Sequence, residues 1–218
     1  MMVNEIFKSI DGEGLRTGEL TTFIRLTGCN LRCSYCDTCY ALKNSNGTEM
    51  SVDEIVKKVK KMDYRNITLT GGEPLIHKDV DDLISKLCEN GFYVNIETNG
   101  SVPIDKYILN KNILITMDYK LPSSGVEKNM NLNNLEKLRE NDVLKFVIGK
   151  DDFDKLKQVI EKYSIKSYIY LSPVFGEIEP FEIVDFMKIM HTQGIDTSKM
   201  RVQVQLHKII WNPNERGV

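Results

Sequence analysis

Apolar residues along the chain fall into two alternating kinds of stretch. Short runs rich in Val, Ile, Leu and Phe read as strands at residues 3–7, 21–26, 66–70, 92–100, 113–117, 143–148, 167–171 and 201–206. Between several of them lie longer segments with helical spacing. One carries Val52, Ile55, Val56 and Val59; the next carries Val80, Leu83, Ile84, Leu87 and Cys88; two more span residues 151–163 and 181–193. The first opens on Ser51 with Glu54 three residues on, a capping-box pattern. The second, over residues 79–90, stops at Gly91, the residue type favoured at a helix end that needs positive φ. Cys88 falls on the apolar face of that helix and reads as a small core residue.

Strands that are nearly continuous in apolar residues belong to parallel sheets covered by helices. The order therefore predicts an α/β fold. The 218 residues are too few for a closed eight-fold barrel of about 250. The expectation is a partial, open TIM-like barrel of about six or seven mostly parallel strands with helices outside. It is expected to form a single domain over residues 1–218. Chemistry in such barrels sits at the C-terminal ends of strands. Polar clusters follow Leu26, Leu69, Ile96, Met117, Leu171 and Leu206.

Composition narrows the function classes. Hydrophobic residues make up 41%, and 29 Lys and Arg against 31 Asp and Glu leave a net charge of −2. That balance gives no reason to expect nucleic acid or an anionic membrane as partner. No apolar run is long enough to span a bilayer, and no signal peptide is recognisable. Of the five cysteines, all but Cys88 crowd between positions 29 and 39. This is a metal-site distribution rather than a disulfide framework, and it points to a reducing, cytoplasmic compartment.

The crowded stretch is the loop at residues 28–39. Cys29, Cys33 and Cys36 are spaced C-x3-C-x2-C, with Tyr35 just before the third. Iron–sulfur clusters are held by cysteine thiolates. Three protein ligands on a four-iron cluster leave one iron open, as a catalytic metal site requires. Cys36 and Cys39 also make a C-x2-C pair, so four-cysteine zinc is the competing reading of the loop. Arg25, inside the apolar strand that leads into the loop, must find a partner. That partner is either a structural ion pair or a substrate carboxylate gripped by both arms of the guanidinium. The turn at residues 9–14 has two glycines and two carboxylates and needs no function to explain it. Gly71-Gly72-Glu73-Pro74 ends a strand and permits close backbone approach to a ligand.

With the loop, the Gly-Gly-Glu-Pro turn and the element order together, the chain resembles the radical S-adenosylmethionine (SAM) superfamily. Glu5-Ile6-Phe7, the 9–14 turn, residues 23–31, Cys36-Asp37-Thr38, residues 120–124, Gln205-Leu206-His207, Trp211-Asn212 and Arg216-Gly217-Val218 narrow the likeness to the 7-carboxy-7-deazaguanine synthases. The resemblance runs from residue 3 to the C-terminus. It implies conversion of 6-carboxy-5,6,7,8-tetrahydropterin to 7-carboxy-7-deazaguanine with loss of ammonia, on the route to queuosine and other deazapurines. It also implies a [4Fe–4S] cluster, SAM and Mg²⁺. By the same resemblance Cys29, Cys33 and Cys36 hold the cluster and Thr38 ligates Mg²⁺. Tyr35, Cys36, Asp37, Gly72, Glu73, Asp118, Tyr119, Lys120, Ser172, Pro173, Val174 and Phe175 hold SAM. Ile10, Asp11, Gly12, Glu13, Arg25, Thr70 and His207 meet the pterin. A reducing partner such as flavodoxin or ferredoxin and a homodimer are implied too. The chain departs from the family in two places. Relatives often carry Gln at the position of Asp11 and Ser-Pro-Lys where Asp118-Tyr119-Lys120 stands. Cys39 lies outside the motif.

Two other readings share the cysteine loop. An activating enzyme that places a glycyl radical on a partner protein would lack the 9–14 turn, Thr38 and the His207 tail. A non-enzymatic binding module would hold zinc with Cys29, Cys33, Cys36 and Cys39.

Overall fold

The computed structural model of the protein describes residues 1–213 and 215–218. Its elements are β1 (Met2–Ile10), β2 (Leu20–Leu26), β3 (Thr48–Glu49), α1 (Val52–Lys60), β4 (Asn66–Gly71), α2 (Val80–Glu89), β5 (Tyr93–Thr98), β6 (Ile113–Tyr119), β7 (Val143–Ile148), α3 (Phe153–Lys162), β8 (Tyr168–Pro173), α4 (Pro180–Thr192), β9 (Met200–Val202) and the short α5 (His207–Ile210). Among the described residues the nine strands form one open sheet in the order β3-β1-β2-β4-β5-β6-β7-β8-β9. Pairing is parallel from β2 through β9 and antiparallel where β1 meets β2 and β3.

The parallel, helix-covered sheet matches the expected architecture, and the strand count is higher than about six or seven. Two antiparallel-paired strands at one side of the sheet, β1 and the edge strand β3, account for the difference. β3 has only two residues and no apolar run of its own. Helices do not follow every strand either. The crossover from β5 to β6 carries only turns, and that from β6 to β7 only short 3₁₀ turns within residues 122–134. Among the described residues no helix is long and apolar enough to cross a membrane.

Local signals worked where they were strong. Ser51 and Glu54 form the reciprocal capping box at the start of α1. α2 ends with Gly91 at φ +81°, where Phe92 N donates to Leu87 O and Gly91 N to Cys88 O.

The sheet has two unlike faces because side chains alternate along each strand. Ile24, Leu26, Ile67, Leu69, Ile96, Ile115, Met117 and Phe146 are fully buried and belong to the core that also takes the apolar stripes of the helices. The other face carries Thr21, Arg25, Thr68, Thr70, Asn95, Glu97, Thr116, Asp118 and Lys145. Hydrogen bonds such as Thr116 to Asn95, at 2.9 Å, link these residues across strands. The concave interior is therefore polar, and it opens into a cavity at the C-terminal ends of the strands.

Candidate active site

That cavity has a volume of about 920 Å³, within the usual range for a small-molecule site. Its wall includes Cys29, Cys33 and Cys36, all free and half-buried. Burial pushes the Cys33 and Cys36 thiols above their ordinary pKa. Loading of a metal centre must therefore displace protons from them.

The loop is fixed from several sides. Arg32 donates to the carbonyls of Cys29 and Leu31 at 2.7 and 2.6 Å. Ser34 donates to Ser123 O at 2.6 Å, and Asp152 holds Ser123 N at 2.9 Å and Gly149 N at 2.8 Å. Two donors reach the Cys29 sulfur: Leu31 N at 3.4 Å and Asn99 Nδ2 at 3.7 Å. Such donors are a lever on cluster potential. Among the described residues no three His, Cys, Asp or Glu side chains converge as ligands of a single ion. Cys39 is exposed, off the cavity wall, and its thiol donates to Cys36 O at 2.9 Å. A four-cysteine zinc site therefore does not fit. Three free thiols on one wall, with the other cysteines pointing elsewhere, do fit a cluster with three protein ligands.

Away from the thiols, Arg25 resolves its two alternatives by doing one and leaving room for the other. Its Nε donates to Glu5 at 2.8 Å, with Tyr40 OH on the same Glu5 oxygen at 3.2 Å. Arg25 also lines the cavity. Gly12 lies against His207: a Cβ there would stand 2.7 Å from His207 Nδ1. Both line the cavity, as do Ile10, Glu13, Thr70, Tyr35, Asp37, Thr38, Gly72, Asp118, Lys120, Pro173, Val174 and Phe175. Thr38 donates to Asp37 at 2.8 Å.

Four residues expected at the site lie off its wall. Tyr119 is part of β6, and strand alternation turns it outward, onto Phe146 and Glu127. Glu73 is fully buried and takes hydrogen bonds from Leu75 N, Thr98 Oγ1 and Asn99 N at 3.0, 2.9 and 2.6 Å. It ties the Gly71–Pro74 turn to the end of β5. Asp11 is buried beneath the cavity, where Thr68 donates to it at 2.6 Å and its own backbone closes the 11–19 loop onto Gly18 and Glu19. Ser172 is buried without a hydrogen-bond partner for its hydroxyl among the described residues.

Sequence reading missed Lys145, Glu97 and Thr116, whereas the C-terminal segment, which the resemblance implied would close the substrate pocket with His207, lines the cavity with Glu215 to Val218. Lys145 stands inward on β7 and pairs with Glu13 at 2.6 Å and Asp118 at 3.2 Å. A charged residue inside an apolar strand was the signal that singled out Arg25, and it applies equally to Lys145. Arg216 lies 3.8 Å from the centre of the Tyr40 ring, which fastens the tail over the cavity mouth.

The family model for the radical SAM superfamily matches residues 23–190. A 7-carboxy-7-deazaguanine synthase of Clostridium acetobutylicum is 45% identical over 99% of this chain and 98% of its own. One of Methanospirillum hungatei is 42% identical over 98% of this chain and 86% of its own. The crystal structure of QueE from Escherichia coli superposes with a TM-score of 0.71 at 25% identity, covering 94% of each chain. Streptococcus suis SuiB bound to S-adenosylmethionine superposes at 0.55 with 12% identity over 84% of this chain and 48% of its own, a likeness of fold.

Proposed function

The chain belongs to the radical SAM superfamily and, within it, to the 7-carboxy-7-deazaguanine synthases, and on that premise we propose the following division of labour in its cavity. The enzyme is a radical SAM lyase of 7-deazapurine biosynthesis. Its reaction turns 6-carboxy-5,6,7,8-tetrahydropterin into 7-carboxy-7-deazaguanine and ammonia. When bound, the cluster and SAM would supply radical hydrogen abstraction at the pterin.

The chain's own residues hold and orient. Cys29, Cys33 and Cys36 would anchor the cluster. Tyr35, Asp37, Gly72 and Lys120, with Pro173 to Phe175, would enclose SAM beside it. Arg25, braced at Nε by Glu5, would offer its remaining N–H groups to the pterin carboxylate as a planar fork. Thr38 would supply one oxygen to Mg²⁺, an ion that keeps waters and takes substrate oxygens for the rest of its shell. Gly12, Glu13, Thr70 and His207 would frame the ring, and the tail from Glu215 to Val218 would keep water from the radical. A reducing partner such as flavodoxin or ferredoxin and a homodimer belong to the same reading. Exposed Phe181 and Ile189 on α4 offer apolar surface for the latter.

The observation that carries the reading is that three free thiols and the braced Arg25 guanidinium open onto one cavity. The test is anaerobic turnover of cluster-reconstituted protein with SAM, Mg²⁺, reductant and 6-carboxytetrahydropterin, followed by mass and ultraviolet absorbance. Formation of 7-carboxy-7-deazaguanine, lost in Cys33→Ala, is expected. Cleavage of SAM with no deazaguanine would remove the substrate assignment, and stoichiometric zinc without labile sulfide would remove the whole reading.

A further inference from the structure

Four charged side chains of alternating sign run along the cavity wall. Glu13 Oε2 lies 2.6 Å from Lys145 Nζ, Lys145 Nζ lies 3.2 Å from Asp118 Oδ1, and Asp118 Oδ2 lies 2.7 Å from Lys120 Nζ. They come from separate pieces of backbone: the loop after β1, the inward face of β7, the inward face of β6 and the residue just past β6. None of the four side chains has more than 22% of its surface exposed, so salt screens the interactions little.

The two ends of this row have different neighbours. Lys120 lies within electrostatic reach of Cys33 and Tyr35, at the thiol end of the cavity. Glu13 follows Gly12, which abuts His207, and lies within electrostatic reach of that histidine. A cofactor bound to an open iron must sit at the Lys120 end. A heterocycle that reacts with it must sit toward Glu13.

We propose that the row Glu13–Lys145–Asp118–Lys120 couples the two ends, so that filling one raises the affinity of the other. The inference rests on the reading above for which ligand takes which end. A carboxylate arriving beside Lys120 draws the ammonium toward itself and loosens its hold on Asp118. Asp118 then pairs more fully with Lys145, and Lys145 yields part of its hold on Glu13. Glu13 Oε1 is already buried without a hydrogen-bond partner among the described residues. The released carboxylate therefore presents two acceptors, which suits adjacent ring and amino N–H groups of a pterin. Coupling of this kind is reciprocal by thermodynamic necessity. Asp118 is a positioning residue here: its Oδ2 accepts a hydrogen bond from Lys120, its buried Oδ1 lies 3.2 Å from Lys145 Nζ with no hydrogen-bond partner among the described residues, and it acts through the two lysines.

The experiment is calorimetric titration of the cluster-loaded protein without reductant, so that nothing turns over. SAM is titrated with and without 6-carboxytetrahydropterin, and the pterin with and without SAM. In the unmodified protein each ligand is expected to tighten the other about tenfold. In Asp118→Asn, whose neutral amide cannot hold two ammonium groups, that ratio is expected to fall below about twofold, whatever happens to the separate affinities. Should this variant fail to hold its cluster, Lys145→Gln breaks the row one position further along and carries the same expectation. A ratio that survives either break overturns the coupling, as does a ratio near one in the unmodified protein that binds both ligands. An unmodified protein that binds SAM but no pterin removes the substrate reading, and the coupling with it.

Discussion

Gly72 and Cys29 meet so closely that a Cβ on Gly72 would stand 2.7 Å from the Cβ of Cys29 and 2.2 Å from the carbonyl oxygen of Gly28. The turn after β4 thus packs against the cysteine loop backbone to backbone, and Glu73 N donates to the same Gly28 oxygen at 2.9 Å. An added methyl would have to displace main chain rather than a flexible side chain. Gly72→Ala is expected to shift the Cys29 thiol and to lower bound iron and labile sulfide after reconstitution by more than half. Gly91→Ala, where added Cβ meets nothing within 4 Å, should cost about 1 kcal/mol of stability and keep full iron content. Full iron in Gly72→Ala would show that the contact does not set the loop.

Asp11 gives the clearest pH dependence. Burial, opposed by the Thr68 hydrogen bond and reinforced by Glu97, pushes its carboxyl from 3.8 up to about 7. A raised carboxyl means that the folded protein binds this proton more tightly than the unfolded chain. Stability from this site is therefore full below pH 3.8, falls as pH climbs toward about 7, and is flat above. The rise from 3.8 to about 7 bounds the loss at about 4 kcal/mol. Asn keeps an acceptor for Thr68 and places an NH₂ group where Oδ2 now lacks a hydrogen-bond partner among the described residues. Asp11→Asn should be more stable than the parent at pH 8, by up to that amount, and equal to it near pH 4. Urea unfolding across this range checks it, and parallel pH profiles for the two proteins would count against the assignment.

The same residue shows where sequence reading stops. Apolar runs located the parallel strands because burial on the helix side needs continuous branched side chains. Gly91 and Ser51 located helix ends because backbone geometry needs those residue types there. The cysteine spacing located the thiol end of the cavity. What stayed hidden depends on which way a side chain points after a bend. Asp11 and Glu13 are two positions apart in one turn, yet one lies beneath the cavity and the other on its wall. Asp118 and Tyr119 looked like a loop after β6; they are its last two residues, so alternation sends one inward and the other outward. The strand expected to run to residue 206 stops at Val202. There the Gln203 amide turns to bind Gly14 N at 2.7 Å and Thr17 Oγ1 at 2.7 Å, joining the last strand's exit to the 11–19 loop. No local pattern encodes a bond between residues so far apart in sequence.

Asp142 should be a pure stability residue. It lies just before β7, at the end of the barrel away from the cavity, where residues support the fold rather than the chemistry. It is fully buried and accepts from Arg139 N, Nε and Nη2 at 2.8, 2.9 and 2.8 Å and from Ile115 N at 2.9 Å. Asp142→Ala leaves the Arg139 charge without its carboxylate, with only the carbonyls of Ile108, Asn110 and Ile113 to accept from it, and leaves the Ile115 N–H without its acceptor. A loss of about 3–5 kcal/mol is expected, with KM for both SAM and the pterin unchanged in the folded fraction. A denaturation midpoint near that of the parent would contradict this.

The proposed magnesium role of Thr38 separates cleanly from SAM cleavage. Thr38 lines the cavity, and its hydroxyl donates to Asp37. Thr38→Ala removes the one oxygen offered to the ion without touching a thiol. Stimulation by Mg²⁺ should largely disappear, while reductive cleavage of SAM continues at a rate near that of the parent. A titration of product formation against Mg²⁺ decides it: an unaltered stimulation curve would take Thr38 out of the role.

Arg25 is the residue at which charge alone can be told from geometry. Its Nε is held by Glu5, which fixes the plane of the guanidinium and leaves the outer N–H groups for a carboxylate. Lysine keeps the charge and the Glu5 pairing but offers a point donor in place of a fork. If the fork grips the pterin carboxylate, Arg25→Lys should lower kcat/KM for 6-carboxytetrahydropterin by about a hundredfold, as expected for loss of about 2–3 kcal/mol of charge-assisted hydrogen bonding. SAM affinity without pterin should stay within about twofold of the parent, since Arg25 lies within electrostatic reach of His207, at the Glu13 end of the cavity. Glu5→Gln should act in the same direction but more weakly, because it loosens the plane without removing the fork. An Arg25→Lys protein with parental kcat/KM would show that charge suffices there. A Glu5→Gln protein more damaged than Arg25→Lys would show that the ion pair serves the fold, and the carboxylate would then have to be held elsewhere on the wall.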